Sequence, residues 1–462
     1  VEVALILAST MSDSGKSMVT AALVKLFHGT PFKAQNMSLN SYPTKDGGEI
    51  SFIQAYQAMG SGLSPERIHN PVLLKPSPGG VEVVLMGSSI GLFKPGGYYD
   101  WVSKAWTYVR ESVRDTSVIE GAGGIAEPNF MDRDLSGFLM AKELKLPIVL
   151  VLDIDRGGAF ASAYGAYSMF PPSLRDQLKG FIINKFRGDP VLLQPAIDWL
   201  SEKTGMKHFG TIPYADDFDI MAEDSMNVKE FGDGSFNVSI VSYPYMSNFN
   251  EFQALSKSNA SVRFVRKPSQ AKTSDLIILP GTKSSYASLK WLIERGFSDV
   301  IKSKPVLAIC GGFQMLGRKL VDPYGLESPV SQFDGLGLLD VDVIYDKKKR
   351  VKLVRGRGPF GEVTGYEVRR GSIIYHSTSP LLDLDDAKDG AYEGQIMALS
   401  VHGSLYSEFG RNAVKEFGLR IWASSLEDEV KTQIEFLSRR VKEEVDVEGL
   451  RALWEESMIP RV

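Results

Sequence analysis

Cysteine is nearly missing from this chain: Cys310 is the only one among 462 residues. A lone thiol excludes an intrachain disulfide and suits a reducing compartment. Long apolar runs are missing too. None reaches the ~18 residues of a membrane-crossing helix, so no membrane partner is expected. Neither sign of charge dominates. The 52 basic and 56 acidic side chains leave a net charge of −4, which gives nucleic acid no electrostatic footing. The opening stretch, Val1 to Ala8, has neither a basic flank nor a small-residue cleavage site, and reads as a buried first strand. Repeats and low-complexity tracts are absent. These absences leave a soluble, cytoplasmic globular protein.

At 462 residues the chain exceeds what one hydrophobic core serves, so several domains are expected. Short β-rich runs (Val3–Ala8, Ser117–Ile119, Pro147–Asp153, Gly180–Asn184) alternate with helical stretches at Gly15–Phe27 and Ile50–Gly60. That alternation predicts an α/β fold with a mainly parallel sheet. Polar, glycine-containing text near 224–236 predicts a linker. Strand-like runs then resume at Val238–Tyr243, Val262–Val265, Leu276–Leu279 and Val306–Ile309. The expected organisation is a first domain over 1–225, a linker over 226–236, a second α/β domain over 237–425 and a helical tail over 426–462 packed on the surface. The basic run Lys347–Arg357 reads as a solvated hairpin.

Two segments carry chemistry. The first, STMSDSGKS at 9–17, follows a strand, precedes a helix and looks like a Walker A loop with Thr10 in place of its leading glycine. Backbone N–H groups around Gly15 and the helix N-terminus would wrap phosphate, Lys16 would neutralise it, and the Ser17 hydroxyl would bind Mg²⁺. Glu120, at a strand end before Gly121, and Asp46, before Gly47-Gly48, offer further oxygen ligands for Mg²⁺. The equally simple reading of Asp46 is a turn aspartate.

The second segment is Cys310 itself. An apolar run ends at Ile309, and Gly311-Gly312 opens a helical stretch, which is the nucleophile-elbow pattern with a thiol. The bland reading is a small buried hydrophobe. His402 weighs against it, because it follows a strand-like run and precedes Gly403 in a chain with five histidines. An imidazole in reach would take the thiol proton and later protonate a leaving amine.

PFKAQNMSLNS (31–41), NPVLLKP (70–76), IEGAGG (119–124), DIDRGGAFAS (153–162), NKFRGD (184–189), SNFNEF (247–252), LPGTKSS (279–285), ICGGFQMLG (309–317) and VHG (401–403) occur in order. As a set they resemble the signature blocks of the cobyric acid synthases, glutamine-dependent amidotransferases of cobalamin biosynthesis. The resemblance implies an N-terminal domain similar to dethiobiotin synthetase that uses ATP and Mg²⁺, and a C-terminal class I glutaminase. It implies Lys33 facing the substrate carboxylate and γ-phosphate, and Asn184 contacting adenine. It also implies an oxyanion hole from the N–H of Gly311 and one near Gly281. Arg156, after a strand end, would grip a substrate carboxylate, or else pair with Asp153 or Asp155. The implied substrates are glutamine and a corrinoid, adenosylcobyrinic acid a,c-diamide, amidated at its b, d, e and g carboxylates.

The pattern departs from wider glutaminases at Ser404, where many carry the glutamate of His-x-Glu. The orienting carboxylate is therefore expected to be missing, leaving a Cys–His dyad. The block containing Glu367 (Gly365-Tyr-Glu367) has no assigned role. The shortened text at His28-Gly-Thr30 leaves the edge of the first sheet open to question. The nearest rival is cobyrinic acid a,c-diamide synthase. A P-loop switch ATPase of the partitioning type is a rival of another class, but it has no use for Cys310 and His402.

Overall fold

Ala4–Ala8 are buried along their whole length, as a strand flanked on both sides and on both faces must be. In this computed structural model, which describes residues 4–94, 96–215 and 228–457, that strand lies inside a six-stranded sheet. The order is Lys207–Pro213, Leu178–Phe186, Ile148–Asp153, Ala4–Ala8, Ser117–Glu120, Thr30–Phe32, and every pairing is parallel. Thr30–Phe32 does form the edge strand, so the short connection after the first helix costs the sheet nothing. The stretch expected to be helical from Ile50 is first a strand, Glu49–Ser51, and turns helical at Phe52–Gly60.

The second half repeats the plan. Ala260–Val265, Phe236–Val241, Leu276–Leu279, Val306–Ile309 and Ile396–Leu399 run parallel, with Ala391–Glu393 antiparallel at one edge. Both halves are thus α/β with mainly parallel sheets. Val3, residues 216–227 around the expected boundary, and 458–462 lie outside the described residues. No helix among the described residues is long and apolar enough to cross a membrane.

Two features depart from expectation. The basic run does form a hairpin, Val341–Gly358 with Gly361–Tyr375, but its charges are not all solvated. Lys349 is only partly exposed and reaches Glu49 Oε2 at 2.5 Å in the first half, while Arg370 on the facing strand reaches Glu82 Oε1 at 3.0 Å. The partners lie hundreds of positions upstream, so local charge density misrepresents the environment. The C-terminal helices Leu426–Glu444 and Val447–Glu456 likewise do more than coat a surface. They close a core with Val19, Leu23 and Phe27 of helix Lys16–Phe27. Trp454 stacks on Phe27 at 5.0 Å and donates its indole N–H to Ser117 O at 3.0 Å.

Candidate active site

The strand Val306–Ile309 ends at Cys310, whose φ of 51° and ψ of −105° lie where a non-glycine residue is strained. That turn is tolerated because both neighbouring contacts are fixed. Cys310 N–H donates to Leu399 O at 2.7 Å, and its carbonyl accepts from Gln314 N at 3.0 Å. Gly311 and Gly312 are required by space, since a Cβ on Gly311 would sit 2.5 Å from Thr282 and one on Gly312 would sit 2.1 Å from Leu279 O. Gly281 lies opposite, in a short strand paired with Met246–Ser247. The structure therefore brings Cys310, His402, Gly281 and Gly311 to one place.

His402 is held at both backbone atoms by Tyr366 and stacks on the Tyr366 ring at 5.4 Å. Its Nδ1 lies 2.7 Å from Glu251 Oε1, and the other carboxylate oxygen accepts the N–H of Gly403 at 2.8 Å. Burial disfavours charge on His402, but Glu251 and then Cys310, which also hydrogen-bonds the ring, push it up to about 10. The expected dyad is therefore a triad: the carboxylate absent at Ser404 arrives from Glu251. Ser404 is buried, and its hydroxyl lacks a hydrogen-bond partner among the described residues. Glu251 lies in the SNFNEF block, and the sequence alone assigns the residue no role. The only signal was a carboxylate in an otherwise apolar and amide-rich run. Glu367 is fully buried between Arg350 and Arg369, a structural ion pair.

Cys310 faces a narrow cleft lined by Gln314, Tyr345, Lys283, Glu327 and Lys349 of the second half and by Lys75 of the first. Lys75 reaches Glu49 at 2.5 Å, and Lys283 lies 3.5 Å from Glu82 and 3.6 Å from Glu327. Burial pushes the Glu327 carboxyl above its usual range against the pull of Lys283.

In the first half, Gly15 has φ of 90°, and a Cβ there would strike Asn184 Nδ2 at 2.1 Å. Asn184 donates to Ser14 O at 2.8 Å and so braces the loop. Lys16 Nζ bonds Ser9 Oγ, Met11 O and Gly123 O, and the Thr10 hydroxyl meets that of Ser162 at 3.0 Å. No described side chain caps helix Lys16–Phe27, and its first turn holds no acid, which suits an anion at its N-terminus. Glu120 is fully buried and accepts from Ser17 and Lys33 at 2.8 Å each and from Gln57 at 2.7 Å. Burial opposes its charge, yet Lys33 holds it below the usual carboxylate range.

Asp46 does not join this group through any recorded contact. It is an exposed turn residue held by Thr44 and by Arg67 at 2.6 Å. Ser17 and Glu120 fit a hard cation that keeps its waters, and among the described residues no group of three or more Asp, Glu, His or Cys is placed to hold a metal ion by itself. Arg156 is largely exposed, its guanidinium 4.0 Å from both Asp13 and Asp153.

Comparison with known proteins gives the same partition. Residues 5–228 match the model of the CobQ/CobB/MinD/ParA nucleotide binding domain, and 237–409 match that of the CobB/CobQ-like glutamine amidotransferase domain. A probable cobyric acid synthase of Picrophilus torridus is 37% identical, covering 96% of this chain and 97% of its own length. A cobyric acid synthase of Desulfitobacterium hafniense is 34% identical over 97% of both chains. A probable cobyric acid synthase of Methanococcoides burtonii is 39% identical over 86% of both.

Proposed function

The chain belongs to the cobyric acid synthase family, and on that premise we propose that it amidates the b, d, e and g carboxylates of adenosylcobyrinic acid a,c-diamide to give adenosylcobyric acid. At the coarser level it is a glutamine-dependent amidotransferase of cobalamin biosynthesis that uses a nucleotide. The observation that supports ammonia release from glutamine beside the amide-forming half is the buried Glu251–His402–Cys310 line opening on a cleft to which both halves contribute, and the finer substrate reading follows the likeness to the cobyric acid synthases.

A carboxylate does not condense with ammonia in water unless it is first activated. The first half would transfer the γ-phosphoryl group of ATP to a corrin carboxylate oxygen, giving an acyl phosphate. Lys16 and the N-terminus of its helix would hold the phosphates, and Lys33 would stabilise the moving charge. Mg²⁺, held by Ser17 and Glu120 with its waters, would supply charge neutralisation there. In the second half the Cys310 sulfur would attack the carboxamide carbon of glutamine while His402 takes the thiol proton. His402 then protonates the departing ammonia, and water hydrolyses the glutamyl thioester to glutamate. The N–H groups near Gly281 and Gly311 would receive the oxyanion. Ammonia attacks the acyl carbon, phosphate leaves and the amide remains. Lys283 and Glu327, whose mutual contact is long, suit the α-carboxylate and α-ammonium of free glutamine.

The test is direct. Purified protein with ATP, Mg²⁺, glutamine and the diamide should convert four carboxyls to carboxamides by product mass. Amidation confined to the a and c positions of cobyrinic acid, or no product, would overturn the reading.

A further inference from the structure

The carboxylate that orients His402 sits in a 3₁₀ helix, Phe249–Lys257, not on a strand of the second sheet. Such helices hold themselves with poorer hydrogen bonds than α-helices, so outside contacts matter to their position. Phe249, Phe252 and Leu255 anchor this one in the core of the second half, and its N-terminal end is tied to the first half of the chain. Ser41 N–H donates to Asn248 Oδ1 at 2.8 Å, and Phe249 N–H donates to Asn40 Oδ1 at 3.2 Å. The next link is within the segment: Glu251 N–H donates to Asn248 O at 3.3 Å. Glu251 then meets His402 and Gly403.

Asn40, Ser41, Asn248 and Glu251 are all at least nineteen-twentieths buried. Water therefore cannot easily replace these bonds once one is lost. Asn248 also holds φ of 53°, a left-handed conformation that asparagine tolerates better than most residues. The amide thus suits both the backbone and the reciprocal exchange with the Asn40–Ser41 turn. That turn lies on the loop that runs on from Lys33, the residue bonded to Glu120. Its Ser41 hydroxyl also accepts from Lys75, which lines the Cys310 cleft.

We propose that Asn40 and Asn248 are positioning residues of the glutaminase: across the seam between the halves they fix the segment that aims Glu251 at His402, so glutamine hydrolysis depends on the amide-forming half. The proposal rests on the glutaminase reading above. Asn248 borders the Cys310 cleft, but its Oδ1 is taken by Ser41 N–H, and the two amides act through Glu251. Displacing a catalytic group by a fraction of an ångström lowers rate more than binding.

The experiment uses the full chain with Asn40→Ala, Asn248→Gly and Asn40→Asp. Asn248→Gly keeps the left-handed backbone and removes only the amide. Glutamate release reports the second half, and amidation supported by ammonium chloride reports the first. For Asn40→Ala and Asn248→Gly, kcat for glutamate release should fall about tenfold or more, with KM for glutamine within about twofold. Ammonium-supported amidation should hold. Asn40→Asp, which keeps an acceptor oxygen, should recover most of the rate. The alkaline limb of glutamate release should move to lower pH, because His402, faced by Glu251, Cys310 and Tyr366, loses the hold of Glu251. Unchanged glutamate release in both variants would overturn the proposal. So would an equal loss in the ammonium assay, which marks general damage. Wild-type protein releasing no glutamate would instead overturn the glutaminase reading.

Discussion

Gly281 and His402 sit so close that any side chain at 281 would take the imidazole's place: an added Cβ would lie 2.7 Å from Cε1. A contact under 3 Å to a ring fixed by Glu251 and Tyr366 cannot be relieved cheaply. Gly281→Ala should therefore cut glutamine-dependent amidation about a hundredfold, while ammonium chloride still supports product. Equal loss with both nitrogen sources would show that the glycine serves the fold instead.

Glu251→Gln tests the charge on His402. In the wild type the ring is raised to about 10 from an ordinary 6.5, so the stability this contributes is fully present below about 6.5 and lost as pH climbs through about 10. The variant should lose less stability over that window, measured by thermal melts at a series of pH values. Its glutaminase should also fail at lower pH on the alkaline side.

Lys33→Met leaves Glu120 fully buried without its cation. Breaking a buried pair from one side costs about 3–5 kcal/mol. Urea unfolding should show a loss of that order at neutral pH, smaller under acid conditions where Glu120 takes up a proton. Amidation should vanish with either nitrogen source while glutamate release persists. The double change with Glu120→Gln should regain part of the stability and none of the amidation.

Lys283→Met and Glu327→Gln should each raise KM for glutamine about tenfold or more, since a charge-assisted contact to an ionised ligand group contributes about 1.5–3 kcal/mol. Ammonium-supported amidation should be unaffected. A change in kcat at constant KM would assign these residues another role.

Trp454 joins the last helix to the first. Replacing it by alanine removes a stacked ring and an indole hydrogen bond, and should destabilise the chain by about 3–5 kcal/mol in urea titrations.

Much of this was legible in the chain. Ile309-Cys310-Gly311-Gly312 announces a strand, an elbow and a helix locally, and the 9–17 loop does the same for phosphate, because backbone geometry at glycine is encoded within a few positions. Relations across the fold were not legible. Glu251 stands 151 positions before His402, and nothing near Ser404 hints at it. Lys349, within the run read as solvated, is not so because Glu49 enters from the other half to neutralise it. Asp46 and Glu120 both offered oxygen ligands, Asp46 with a turn aspartate as its equally simple reading, and burial decides between those readings. Glu120 is enclosed with Ser17 and Lys33, and Asp46 hangs in solvent beside Arg67.

The return of the last helices onto the first has a consequence for biogenesis. While the ribosome makes the chain, Val19, Leu23 and Phe27 on the first helix lack part of their cover, because Leu437, Val441 and Trp454 are synthesised hundreds of positions later. The nascent N-terminal half therefore waits with a greasy flank exposed while the whole second sheet is made. Polypeptides stalled or clipped before residue 426 should be chaperone clients, whereas chains that carry helices Leu426–Glu444 and Val447–Glu456 seal that flank.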